Sequence, residues 1–409
     1  MGHSFEGGTI VKTVLISGAS IAGPALAHWL CRYGFRPTVV EIAPALRTGG
    51  NAVDFRGQVH LGLLERMGVL DDLRAVQTGG TAMRFVDARG RRLMELPADF
   101  AGGEIEVPRF DLSRVLYEHS RAGTEYRFGD RIVAMADGPH GVDVTFASGL
   151  RRTFDLVVGA DGVHSGVRRL TFGPEERYVR HLGYYVATWE MSNDLGLGRD
   201  SLLYNEPGRM ASAGGDHRDP SRAGVFVAFE SPRLEHDRRD REAQRAILLD
   251  RFAGMGWEVP RLLAALREAP DFYFDAICRV DITPWSRGRV ALLGDAAAGA
   301  TIGGMGTGTA IIGAYVLAGE LATAHAAGAG HTVAFARYER LLGDFARRCQ
   351  KGGDTAGRFL APRSAWGARV RNGVLNSRLG MRLQMWAADD RASRIDLPDY
   401  PLSRAQPIA

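Results

Sequence analysis

The sequence predicts an α/β fold of two domains followed by helices, and three observations carry that reading. Residues 13–41 run through a short β-branched strand, a glycine turn, a helix and a second strand. From about Thr171 to Ile282 the pattern changes to long alternating β runs. After "GRVALLGDAA" (Gly288–Ala297), which returns to a buried strand, the rest is mostly helical. The expected division is a discontinuous sheet-and-helix domain, residues 11–75, 101–170 and 283–345, interrupted by a β-sheet-rich domain, residues 76–100 and 171–282. A C-terminal helical segment, 346–409, completes it. At 409 residues the chain can bury cores of this size.

Each element follows from local pattern. "KTVLIS" is a β-branched run ending at Gly18; "GPALAHWLCRYG" has helical spacing and a Gly34 stop; "RPTVVE" is the next strand. "QVHLGLLERMGVLDDLRAV" reads as one amphipathic helix. "MRFVDARGRRLMEL" reads as a β-hairpin about Ala88-Arg89-Gly90, and "PRFDLSRVLYEHSRAG" as a helix. Several short strands occupy the stretch from Tyr126 to Gly162. "HLGYYVATWEMS", "SLLYNEPGRMASAGG" and "AGVFVAFES" are the longer strands, followed by helices in "REAQRAILLDRFAGMG" and "VPRLLAALREA". No internal repeat or low-complexity tract is present.

Composition is that of an ordinary globular chain, with 45% hydrophobic and 24% charged residues. The net charge of +4 comes almost wholly from arginine, since Lys12 and Lys351 are the only lysines, and the arginines are scattered among acids. That is a solvated surface, and no nucleic-acid partner is expected. Cys31, Cys278 and Cys349 have no zinc or disulfide spacing. "MGHSFEGGTI" has no secretory pattern and reads as a loose extension, so the expected location is the cytoplasm. Ala296–Gly319 is uncharged over 24 residues, but seven of them are glycine. That crowding favours a loop opening into a helix over a membrane span.

The first turn carries the chemistry. Gly18 permits a tight strand-to-helix turn, and Gly23 lets the helix pack closely on the sheet. Ser20 stands where G-x-G-x-x-G has its second glycine, but that position needs only a small residue for a pyrophosphate to approach the helix N-terminus. Ile21 and Ala22 complete the loop, and Pro24 fits the first helical turn. Glu41 ends the second strand, where a carboxylate can bind ribose hydroxyls. The unit is Rossmann-like. The Y-x-x-x-K pair of a short-chain dehydrogenase is absent: no tyrosine precedes Lys351 by four.

"DLVVGADGVHSGVRR" (Asp155–Arg169) resembles the D-G motif of flavoprotein aromatic hydroxylases, and "GRVALLGDAA" resembles their G-D motif. With the first loop, the three motifs occur in the order of the group A flavin-dependent monooxygenases. This is the aromatic and polyketide hydroxylase type, similar in fold to para-hydroxybenzoate hydroxylase and to tetracycline-modifying monooxygenases. The resemblance spans roughly the whole chain. It implies a Rossmann-like FAD-binding domain, a β-sheet-rich substrate domain and C-terminal helices. It further implies that Asp295, after Gly294, bonds the ribitol chain of FAD, and that Asp161 lies near the pyrophosphate side and a nicotinamide route. Arg109 and Arg47 match positions near the cofactor. The backbone of Gly306, Thr307 and Gly308 matches the loop facing the flavin N1–C2=O edge, where helix N-terminal donors stabilise negative charge.

The activity so implied is reduction of FAD by NADPH or NADH, addition of O2 as a C4a-hydroperoxide, and oxygenation of an aromatic or polycyclic substrate. No metal or membrane is required, and the expected state is monomer or homodimer. The substrate domain supplies candidate pocket residues Tyr185, Trp189, Arg209, Met210 and Phe226, with His217 as a candidate base. Alternation alone leaves open which strand face lines the pocket. The chain departs from the family beside the flavin's reactive edge: Ala298, Ala300 and Thr301 stand where histidine and a Pro-Pro pair are usual, and Gly308 replaces an asparagine. Two alternatives therefore stand, a flavin-retaining cyclase or isomerase that does not oxygenate, and an FAD-dependent dehydrogenase or oxidase. A ligand sensor would not need three cofactor motifs.

Overall fold

In the computed structural model, which describes residues 12–47, 52–98, 103–303, 305–377, 379–382 and 395–401, the chain opens with β1 (Thr13–Ser17), α1 (Ala22–Arg32) and β2 (Arg36–Glu41). The expected N-terminal extension and much of the tail after 382 lie outside these residues. β1 pairs in parallel with β2 on one side and with Leu156–Gly159 on the other. The complete sheet has six strands, in the order Ser286–Arg287, Val290–Leu292, Leu156–Gly159, β1, β2 and Glu125–Phe128. Its strands come from far-apart stretches because each parallel neighbour needs a crossover. The crossovers include α1 and the whole second sheet.

That second sheet has seven strands, in the order Tyr273–Val280, Val179–Ser192, Arg222–Glu230, Arg209–Gly215, Ser201–Glu206, Met83–Val86 and Arg92–Leu96. The hairpin expected at residues 83–96 forms its edge. One face packs on helices Arg241–Phe252 and Val259–Glu268, burying Tyr185, Trp189, Val227, Phe229 and Phe252. The other packs in part on the end of helix His331–Leu360 and on helix Ala365–Asn376, burying Tyr184, Val186, Met210 and Ala228. Asp240 starts the first of these helices by accepting the Ala243 N–H at 2.9 Å.

Two expectations need correction. The single helix read from "QVHLGLLERMGVLDDLRAV" is two, Gly57–Met67 and Leu70–Ala75, because Gly68 takes a left-handed conformation (φ 77°) and ends the first. The boundary expected at 346 falls inside helix His331–Leu360, which packs along the central helix Gly306–Ala326. That central helix is the one helix among the described residues long and apolar enough to cross a membrane, but 83% of its apolar window is buried within the protein. Its apolar side chains meet protein on every side.

Candidate active site

The glycine loop is shaped by single atoms. Gly18 has φ 109°, and a Cβ there would lie 2.5 Å from the Ala160 carbonyl oxygen. A Cβ on Gly23 would lie 1.9 Å from the Gly18 carbonyl oxygen, so α1 starts directly over the turn. Ile21 and Ala22 are buried at the start of α1. The first N–H groups of α1 lack intrahelical acceptors and carry the positive end of its dipole. Helix Arg109–Glu118 latches the loop: Ser113 Oγ donates to the Ser20 carbonyl at 2.8 Å, and Arg109 reaches Ser20 Oγ at 3.5 Å. Glu41 accepts the Ala19 N–H at 2.8 Å and the Ala43 N–H at 3.0 Å. This carboxylate braces the loop and still has lone pairs free for hydroxyl donors.

The two aspartates of the later motifs differ. Asp161 follows the Leu156–Gly159 strand beside Gly18, and it accepts from Ser17 Oγ (3.2 Å), the Val167 N–H (3.1 Å) and Ser165 Oγ. Burial raises its pKa, and these hydrogen bonds oppose the rise. It is a loop brace. Asp295 opens the short helix Asp295–Ala298, and its carboxylate has no hydrogen-bond partner among the described residues. Its pKa is raised by burial, with the charge of Arg109 opposing. Gly294 before it packs against Ala22 and Ala310, which brings α1, Asp295 and the central helix together. Asp295 Oδ1 is 2.9 Å from where a Cβ on Gly306 would stand. Gly306, Thr307 and Gly308 form the first turn of the central helix, after Met305 in a left-handed conformation (φ 52°).

These residues fit FAD. The positive end of α1 suits a pyrophosphate, and a recessed carboxylate with no donor of its own suits a polyol chain. The first turn of the central helix suits an electron-rich ring edge. Buried Arg168 ties the two later motifs, donating to the carbonyls of Ala296 (3.0 Å) and Val163 (2.5 Å). Arg47 is exposed after β2, with no partner among the described residues. The departing residues are built in: Ala300 bridges to Arg279 of the Tyr273–Val280 strand. The Thr301 N–H donates to the Cys278 carbonyl at 3.0 Å, and Thr301 Oγ1 accepts the Cys278 N–H at 3.0 Å. Ala298 is half-buried on the short helix.

On the second sheet, Phe226 pairs with Thr188 and Ser212, and Thr188 with Tyr273, so these four side chains form a row on one face. Tyr273 stands close enough to Arg109 and Asp295 to feel both charges, which turns this end of the row towards the FAD-binding loop. Although 47% of Tyr273 is accessible, the surrounding protein and then Asp275 raise its phenol pKa. The hairpin tip after Ser212 also crosses over, Arg218 pairing with buried Asp111 of helix Arg109–Glu118.

Four expected pocket residues sit elsewhere. Tyr185 and Trp189 point to the opposite face and are core, Tyr185 stacked between Phe229 and Phe274. Met210 is fully buried against the C-terminal helices. Arg209 donates to the carbonyls of Arg251 (3.0 Å) and Ala253 (3.3 Å), closing the end of helix Arg241–Phe252. His217 is exposed on the hairpin tip, with no partner among the described residues. Phe226 alone of the five shares the row that ends at Tyr273.

Sequence reasoning missed three groups. Tyr273 was hidden in an ordinary alternating strand. His164, in the D-G motif, lies 3.0 Å from Asp275 and 3.1 Å from Glu175, with Arg238 within 2.7 Å, and so joins the two domains. His60, buried on helix Gly57–Met67, faces Gly308. No sequence spacing links any of these pairs.

A family model described as an FAD binding domain matches residues 12–349. A flavin-dependent monooxygenase from an unknown prokaryotic organism is 36% identical over 397 residues, 95% of this chain and 99% of that protein. The FAD-dependent monooxygenase asL4 of Sarocladium schorii is 32% identical, over 95% of this chain and 98% of its own length. The crystal structure of the tetracycline destructase Tet(55) superposes with a TM-score of 0.83 at 36% identity, covering 95% of this chain and 99% of that one. With the glycine loop, Asp295 and the helix N-terminus brought together, the chain belongs to the group A flavin-dependent monooxygenases and binds FAD.

Proposed function

We propose that the protein is an NAD(P)H-dependent monooxygenase that inserts an oxygen atom from O2 into an aromatic or polycyclic, polyketide-like small molecule. The observation that carries this reading is the row Tyr273, Thr188, Phe226 and Ser212 on one sheet face, whose Tyr273 end lies near Arg109 and Asp295. It offers the rings of Phe226 and Tyr273 with the hydroxyls of Tyr273 and Thr188 beside the FAD site, as a planar, partly oxygenated ligand requires. Tetracycline destructase Tet(55), a neighbour over nearly the whole chain, supports a polycycle.

When bound in this site, FAD would supply the redox chemistry linking NAD(P)H, O2 and the substrate. The chain's own residues hold and shield. Asp295 would accept hydroxyl hydrogens of the ribityl chain. Glu41 braces the loop and would accept from the ribose, and the N–H groups of Gly306, Thr307 and Gly308 would face charge that develops on the ring edge. Arg109, which reaches Ser20 Oγ at 3.5 Å and acts on the charge of Asp295, would neutralise cofactor negative charge there. Asp161 keeps the floor of the loop in register. The loop at Ala300 and Thr301 is fixed to the Tyr273–Val280 strand and would shield the reactive edge without a proline pair. We assign the enzyme to the cytoplasm, where reduced nicotinamide is available.

The test is anaerobic mixing of purified holoenzyme with NADPH or NADH across a panel of polycyclic aromatic compounds, following bleaching of the flavin band. Bleaching accelerated by one compound, followed on aeration by a product heavier by one oxygen, is expected. Accelerated reduction with no oxygenated product would mean a dehydrogenase or oxidase. FAD that stays oxidised with a compound the protein binds and transforms would mean a redox-silent cyclase or isomerase.

A further inference from the structure

Helix Ala365–Asn376 has two faces of different kind. Inward, Leu375 is buried, and Arg371 donates to the Phe359 carbonyl (2.6 Å) and to Asn205 Oδ1 (2.9 Å), which fixes the helix to the second sheet. Outward, Trp366, Val370 and Val374 stand at i, i+4 and i+8 on one stripe, 73%, 43% and 47% exposed. Exposed Arg369 flanks that stripe. Leu93, exposed on the edge strand Arg92–Leu96, lines one small cavity with Ala365 and Arg369, so the apolar surface continues from the helix to the sheet edge. Single exposed apolar side chains are ordinary, but a joined group that includes a tryptophan is the mark of a contact surface.

Charge decides what it contacts. From Thr355 to Ala388 the chain holds six arginines and no aspartate or glutamate. The hairpin tip beside Leu93 adds exposed Arg89, Arg91 and Arg92. The acids at this edge are already held, Glu95 by Arg84 and Arg92, and Asp87 by Arg91. Arg89 and Arg369 have no acidic partner among the described residues. A second copy laid helix against helix would set arginines against arginines, with no carboxylate in the segment to pair them. A helix that turns a short apolar stripe and basic flanks outward instead suits the headgroup layer of a bilayer, where tryptophan is favoured and anionic lipids supply the missing charge.

We propose that helix Ala365–Asn376 and the hairpin tip at residues 88–93 form a docking surface for an anionic lipid bilayer. The contact is peripheral: Trp366, Val370, Val374 and Leu93 enter the headgroup layer, and Arg89 and Arg369 meet lipid phosphates. The central helix takes no part in it, and it is independent of the FAD reading.

The test is flotation of the full chain with vesicles of phosphatidylcholine alone and of phosphatidylcholine mixed equally with phosphatidylglycerol. Binding to the mixed vesicles only, lost at high salt, is expected. Arg369→Gln should weaken that binding about fivefold, the effect of one arginine near a charged bilayer. Trp366→Ser combined with Val370→Ser should weaken it about tenfold or more. Melting temperature and flavin content should stay at wild-type values in both variants, because the altered side chains are exposed. Sedimentation at increasing concentration and titration with polyglutamate separate the other occupants. No binding to the mixed vesicles, equal binding to both kinds, or unchanged binding in the variants would overturn the proposal. So would dimerisation that Trp366→Ser abolishes, which would assign the face to a second copy. Binding of polyglutamate but not of vesicles would overturn it in favour of an acidic protein.

Discussion

The cofactor loop and the second sheet approach each other around helix Arg109–Glu118 but are held together differently. In the loop, position is enforced atom by atom: one methyl on Gly18 or Gly23 meets a carbonyl oxygen at 2.5 or 1.9 Å. In the sheet, position is enforced by area, since two rows of side chains compete to be buried. Residues of the loop can therefore fail by sterics with little change in apolar burial, whereas residues of the sheet fail by leaving a cavity. Stability and cofactor retention should separate along that line.

The largest loss of stability is expected on the sheet. Trp189→Ala removes a 3%-exposed ring from between the sheet and its helices and should cost about 3–5 kcal/mol of unfolding free energy. Phe226→Ala, on the half-buried cleft face, should cost less and act chiefly on substrate KM. Denaturant melts of both, with kinetics on the surviving fold, check the pair; equal destabilisation would erase the distinction between the two faces. In the loop, Gly23→Ala should abolish FAD retention and cost about 1–3 kcal/mol through overpacking. Absorbance of the purified protein and its melting curve read both.

Asp295→Ala sharpens the contrast. The carboxylate is recessed and has no donor within the described residues, so removing it takes away a desolvated charge and no internal hydrogen bond. FAD affinity should fall tenfold or more, while the apoprotein melts at the same temperature or slightly higher. An apoprotein that melts markedly lower would mean that Asp295 serves the fold. Asp161, with three internal donors, should behave in the opposite way on substitution by alanine.

The same contrast explains what could be read from the chain. Steric necessity leaves a fixed spelling, so Gly18, Gly23, Glu41 and the Gly294-Asp295 pair stand out in order. The strand–helix–strand start and the Asp240-capped helix stood out too, because periodicity and caps are local. Burial leaves only alternation, which offers two faces and does not choose between them; Tyr185 and Trp189 went to the wrong one for that reason. Arg209 was mistaken because its carbonyl partners lie on the far end of a helix about forty residues on. His60 has no signature at all, since only the fold brings it against Gly308.

Between the two regions stands His164. Burial alone would lower its pKa, but hydrogen bonds to Asp275 and Glu175 outweigh that and push it up to about 9. Burial likewise opposes Glu175, yet His164 and Arg238 hold it down to about 2. A raised histidine stabilises fully below its unfolded value of 6.5 and loses that contribution as pH rises through 9. A depressed carboxylate stabilises above its unfolded value of 4.5 and loses that contribution as pH falls through 2. The link between domains is therefore complete between about pH 4.5 and 6.5. The gap in melting temperature between wild type and His164→Gln should be widest there and narrow steadily towards pH 9.5. A gap that widens with rising pH would show that the imidazole is neutral in the fold.

The smallest effect belongs to Ser20, and it bears on what the loop recognises. Among the described residues its hydroxyl makes only the long 3.5 Å contact with Arg109, whereas its carbonyl is the group that helix Arg109–Glu118 grips. The backbone therefore holds the loop's shape, and the side chain only has to be small enough not to obstruct an approaching phosphate. Ser20→Gly should change FAD affinity less than threefold, a shift of under about 0.7 kcal/mol, within the range of an exposed substitution. Ser20→Val keeps a modest size but branches at Cβ beside the phosphate path, and should weaken binding more than the glycine does. If glycine instead costs tenfold, the hydroxyl is itself a phosphate ligand. The loop would then recognise its cofactor through a side chain as well as through its backbone.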